Sequence, residues 1–77
     1  MDMKKNIMET LQEFCGRGEL RDDDVLLYDL GICDRELARI INVLNSRFHI
    51  TFHESPQDLQ FASVNDFIIC ARVNANG

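Results

Sequence analysis

The residue types most able to do chemistry meet at Cys33-Asp34-Arg35-Glu36, where an irregular stretch gives way to a strongly periodic one. A thiol at a helix N-terminus faces the positive end of the helix dipole, which favours thiolate and so direct acylation or redox use of Cys33. The plainer reading, a partly buried and inert cysteine, is preferred. Asp34 suits an N-cap or first-turn position, where its carboxylate can accept free backbone N–H groups. Cys15, Cys33 and Cys70 are odd in number, widely spaced and free of a CxxC pattern, so neither a disulfide framework nor a zinc site is expected. His49 and His53 have the i, i+4 spacing that suits a metal only on a helix, and their segment reads as extended. Asp22-Asp23-Asp24 lacks the alternating ligands and glycine of a calcium loop; a solvated charge run, or a docking site for a basic partner, fits it better. No nucleophile, base and orienter form a set, so an enzyme is not expected.

The elements that must hold these residues follow from periodicity. Ile7, Met8, Leu11, Phe14 and Cys15 lie on one stripe of a helix from about Asp2 to Cys15, stopped by Gly16 and Gly18. From Arg17 to Ile32 the period fails, which predicts a long loop pinned by a few side chains such as Val25-Leu26-Leu27. Leu37, Ile40, Ile41, Leu44 and Phe48 then define a second helix that starts near Cys33 or Asp34. His49 to His53 alternates in polarity, but without a partner strand it reads as an extended connector. Ser55-Pro56-Gln57-Asp58 has the cap, proline and acid of a short third helix, ending by about Gln60. Ser63-Val64-Asn65-Asp66 opens a last helix to about Val73, with residues 73–77 as a frayed tail.

At 77 residues there is room for one domain and one core, spanning 1–77, with 45% hydrophobic and 27% charged residues pointing to an ordinary globular chain. A net charge of -5 argues against nucleic acid as the main ligand. No stretch approaches the length of a membrane span, and no secretion signal is seen, so a cytoplasmic, acidic, monomeric protein is expected.

Asp29-Leu30-Gly31-Ile32-Cys33-Asp34-Arg35-Glu36-Leu37, followed without a gap by Ala38 to Arg47 and then Phe48-His49-Ile50, resembles the acyl carrier protein family. That family reads Asp-Leu-Gly, an apolar residue, Asp, Ser and a hydrophobic residue, then an amphipathic helix closing with Phe-Gly-Ile. Its Thr-Val-x-Asp entry to the last helix is matched by Ser63-Val64-Asn65-Asp66, so the resemblance covers roughly residues 3 to 73. It implies an all-α fold, a small four-helix bundle with three longer helices, one short third helix and a long first loop.

The departures fall on the family's chemistry. The serine that takes phosphopantetheine is replaced by Asp34, the aspartate before it by Cys33, and the hydrophobic residue after it by Arg35. A carboxylate is not an acceptor hydroxyl, so no cofactor is expected. Ser46, Ser55 and Ser63 are no obvious replacements. Asp34 then reads either as a mimic of the missing group's phosphate or, preferably, as a cap. The family's acidic second-helix surface, which docks on basic patches of partner enzymes, is here mixed, with Glu36 beside Arg35, Arg39 and Arg47. A different partner is implied, reached through Arg35, Glu36 and Arg39 and through Asp22, Asp23 and Asp24. The first functional expectation is therefore a carrier-like interaction module in a fatty-acid, polyketide or nonribosomal-peptide type pathway. The alternatives are a true carrier with an atypical attachment site, and a small helical adaptor or regulator unrelated to acyl transfer.

Overall fold

The computed structural model describes residues 2–73. Helix α1, Met3–Cys15, begins where the Asp2 carboxylate accepts the Lys5 N–H at 3.2 Å, and ends where Gly16 adopts a left-handed φ of 71°. Its stripe buries Ile7 and Leu11 completely. Helix α2, Asp34–Phe48, turns Leu37, Ile40 and Leu44 into the same core. Helix α3, Pro56–Leu59, is a single turn capped by Ser55, and α4, Val64–Cys70, is capped by the Ser63 hydroxyl, which accepts the Asp66 N–H at 3.1 Å. Each apolar side chain buried this way contributes about 1.5–3 kcal/mol against leaving it wet.

The fold is not all-α, which corrects the expected pure four-helix bundle. Ile50–Thr51 forms strand β1 and Arg72–Val73 forms β2, paired antiparallel with Ile50 opposite Val73 and Thr51 opposite Arg72. The last helix stops at Cys70, short of the expected Val73. Ala71 leaves the helix at φ -70° and ψ 138°, after an N–H bond to the Ile68 carbonyl at 3.1 Å that tightens the final turn. Freed from the helix, Arg72 and Val73 supply the partner strand that the alternating His49 to His53 segment lacked. Val73 is thus paired and not part of a frayed tail; the remaining tail positions, 74–77, lie outside the described residues. The stacked rings of Phe52 and Phe67, with centroids 4.5 Å apart, join the end of β1 to α4.

The long connection 16–33 is held by more than side chains. Leu20, Leu26, Leu30 and Ile32 are buried, and the backbone is stitched to the segment before α4. Leu26 N–H donates to the Ala62 carbonyl at 3.0 Å, Leu27 N–H to the Gln60 carbonyl at 2.9 Å, and Val64 N–H to the Asp24 carbonyl at 2.8 Å. An irregular segment can lie against a core only when its backbone polar groups find such partners. These bonds tie the connection to the segment that leads into α4.

Candidate functional site

The α2 N-terminus is set by the turn Asp29-Leu30-Gly31. The Asp29 carboxylate accepts the Val25 N–H at 2.6 Å, and Gly31 takes a φ of 70°, a conformation that favours glycine. Ile32 is fully buried, so the chain enters α2 from the core outward, which leaves Cys33 exposed as the N-cap residue and Asp34 as the first helical one.

Neither residue caps by its side chain in the usual way. Cys33 makes no side-chain capping bond. Asp34 Oδ1 accepts the N–H of the adjacent Arg35 at 2.9 Å, which meets the positive helix end at close range. The Asp34 N–H donates to Gln60 Oε1 at 3.2 Å, and Gln60 is itself fixed because its Nε2 donates to the Gln57 carbonyl at 3.0 Å. Two of the helix's free donors are thereby satisfied from within the chain.

Around this terminus Arg35 and Arg39 are exposed and Glu36 is half-buried. The acidic run is placed elsewhere. Asp22 pairs with Lys4 of α1 at 3.8 Å, its carbonyl accepts the Asn65 N–H at 3.0 Å, and the Asp24 carboxylate accepts the Arg21 N–H at 3.0 Å. Among the described residues no hydrogen bond or ion pair joins Asp22, Asp23 or Asp24 to Arg35, Glu36 or Arg39. The run is anchored to α1 and to the start of α4, so it and the α2 start are separately held patches.

Two aromatic residues, missed in the sequence, flank the site. Tyr28 is 72% exposed and Phe61 55% exposed, with ring centroids 6.0 Å apart. Both sit outside the helical stripes, so periodicity gave them no role. Their neighbours Leu27 and Gln60 are joined by a backbone bond, and that cross-link brings the rings together. Gln60, read only as the end of a short helix, is the residue that seals α2.

His49 ends α2 in the left-handed region at φ 57°, and His53 is exposed beyond β1; the two do not share a helix. Among the described residues no group of three or more His, Cys, Asp or Glu side chains converges as a metal site would require, and no helix is long and apolar enough to cross a membrane. Cys15 and Cys70 are half-buried. Burial pushes the Cys70 thiol above its ordinary pKa, and the Glu54 and Asp66 carboxylates push it further against the opposing charge of Arg72. No family model, curated protein or solved structure matches this chain.

Proposed function

We propose that this chain is a carrier-like interaction module: a binding domain and not an enzyme, related to the acyl carrier proteins, that docks on a partner of an acyl-transfer pathway without carrying the thioester. The observation that supports it most is the construction of the α2 start. The Asp-Leu-Gly turn delivers the first helical residue to the surface where a carrier would offer its hydroxyl, yet that residue is Asp34. Its carboxylate is folded onto the Arg35 N–H, and its own N–H is sealed by Gln60. A second feature agrees: His49 holds the left-handed backbone at the position where the family has glycine. The exposed Tyr28 and Phe61 near an α2 start of mixed charge that exposes Arg35 and Arg39 give the domain something to bind with, since aromatic and arginine side chains are the common anchors of interfaces.

The test has two arms. The wild-type chain, incubated with coenzyme A and a broad-specificity phosphopantetheinyl transferase, should gain no mass; a gain on any residue, Cys33 included, overturns the non-carrying role. A triple variant, Cys33→Asp with Asp34→Ser and Arg35→Leu, should become a substrate and gain one phosphopantetheine. Failure of the folded triple variant to be modified would count against the kinship with carriers.

A further inference from the structure

Backbone bonds lay the segments 22–34 and 55–66 against each other. Asn65 N–H donates to the Asp22 carbonyl at 3.0 Å, Val64 N–H to that of Asp24 at 2.8 Å and Leu27 N–H to that of Gln60 at 2.9 Å, while Val25 and Ser63 form an antiparallel bridge. At one end of this ribbon the rings of Tyr28 and Phe61 stand exposed, their centroids 6.0 Å apart and their planes tilted by 42°. Aromatic side chains carry the largest burial energies, so two rings left side by side in water are a surface with much to gain from a partner.

The charge around the rings is one-sided. The two segments hold seven of the chain's 13 Asp and Glu and none of its eight Lys and Arg, so the rest of the chain is net positive. Arg21 and Arg35, which bound the first segment, do not reverse that sign. Asp29 follows Tyr28 directly, and the Asp58 carbonyl accepts the Phe61 N–H at 3.3 Å, which puts a carboxylate-bearing residue beside each ring. The carboxylates of Asp24, Asp29 and Asp34 accept backbone N–H groups, which holds them in place and favours their charged form. Asp22 meets Lys4 in an exposed contact at 3.8 Å, and Asp23 has no side-chain hydrogen bond or ion pair among the described residues. Such a face repels nucleic acid and anionic lipid, and a symmetric contact with a second copy would set seven carboxylates against seven. A cation suits both of its components, because ring faces attract guanidinium groups and carboxylates pair with them.

We infer that this face binds a basic, arginine-bearing segment of a partner protein. One guanidinium stacks on the Tyr28–Phe61 pair with Asp29 and Asp58 at its margin, and further cations along the segment meet Asp23 and Asp24. The inference names the chemistry of the partner in the docking role proposed above, and it rests on that role for there being a protein partner.

The test is a titration of the isotope-labelled full chain followed by amide chemical shifts. The probes are acetylated, amidated peptides of about six residues, long enough when extended to reach from Tyr28 to Asp23, that alternate alanine with arginine or with glutamate. The arginine peptide should give saturable shifts at Asp23, Asp24, Tyr28, Asp29 and Phe61, and the glutamate peptide should give none. Tyr28→Ser combined with Phe61→Ser, with an unchanged circular dichroism spectrum, should weaken the arginine peptide at least about fivefold, the loss expected of two cation–π contacts. Asp23→Lys, at a side chain that holds nothing in the fold, should weaken it about threefold or more. Unchanged affinity in either variant, no saturation at millimolar peptide, or shifts centred on α1 or β1 overturns the inference. So do signals that move with the protein's own concentration, since they identify a second copy as the occupant. The mass assay reads carriage and not this contact, so a chain that binds no arginine peptide can still be a non-carrying relative of the carriers, and the two failures are told apart.

Discussion

At the scale of single residues, His49 carries the clearest local cost. Its φ of 57° brings its Cβ close to the following carbonyl oxygen, which costs a non-glycine residue roughly 1–2 kcal/mol. Glycine escapes that clash but loses about 0.4–1 kcal/mol through its freer unfolded chain. His49→Gly should therefore stabilise the protein by about 0.5–1 kcal/mol, read as a higher urea midpoint with an unchanged slope; a lower midpoint would mean that the imidazole does something the backbone does not reveal. The cysteines make a second contrast. Cys33 is exposed, whereas Cys70 is half-buried with its pKa raised above the ordinary 9.0 by burial first and then by the carboxylates beside it. Limiting iodoacetamide at about pH 8 should label Cys33 well before Cys70, because the thiolate is the nucleophile. The same shift affects stability. A thiol whose folded pKa lies above its unfolded value stabilises the fold fully below the unfolded pKa, and that contribution is lost as pH rises through it and beyond. Cys70→Ser should consequently make the loss of stability above about pH 9 shallower, as followed by thermal unfolding across that range.

At the scale of elements, caps decide more than propensity does. Helix α4 is short, and the Ser63 hydroxyl satisfies one of its free N–H groups at 3.1 Å while the same residue bridges to Val25. Ser63→Ala should cost about 1 kcal/mol and lower the melting temperature by roughly 4–8 °C. An unchanged melting temperature would show that the bridge to Val25, which uses backbone alone, fixes this corner. Such caps are the part of the fold that reads well from sequence: Asp2, Ser55 and Ser63 each mark a helix start, and Gly16 and Pro56 mark an end and a first turn. The end of α4 does not read, for a physical reason. Ala71 is apolar and buried, and it continues the stripe of Val64, Phe67 and Ile68 whether its backbone is helical or extended. Burial alone does not distinguish the two, and the pairing that decides it, Val73 with Ile50, is remote in the chain. Arg35, Glu36 and Arg39 could be placed at the α2 start because helical spacing is local. Gln60, Tyr28 and Phe61 could not, because their roles depend on contacts between two irregular segments.

At the scale of the whole molecule, the question is whether the small sheet is part of the cooperative unit or a fringe upon it. A domain of 77 residues has a net stability of roughly 4–12 kcal/mol at typical values per residue. Phe67 is wholly buried, and truncating such a ring to alanine costs about 3–5 kcal/mol. Phe67→Ala should thus remove from about a quarter to all of that stability, read as a much lower urea midpoint by far-ultraviolet circular dichroism. Phe52 is only half-buried, so Phe52→Ala should cost less. The informative measurement is the double-mutant cycle, made in a stabilising concentration of sulfate so that every variant is folded at the start. The two rings stack at 4.5 Å with an angle of 11° between their planes, and their coupling should amount to about 0.5–1.5 kcal/mol beyond the separate losses. A coupling of that size ties the end of β1 to α4, so that the strand and the helices unfold together. Strictly additive losses would mean that the end of β1 moves independently of the core.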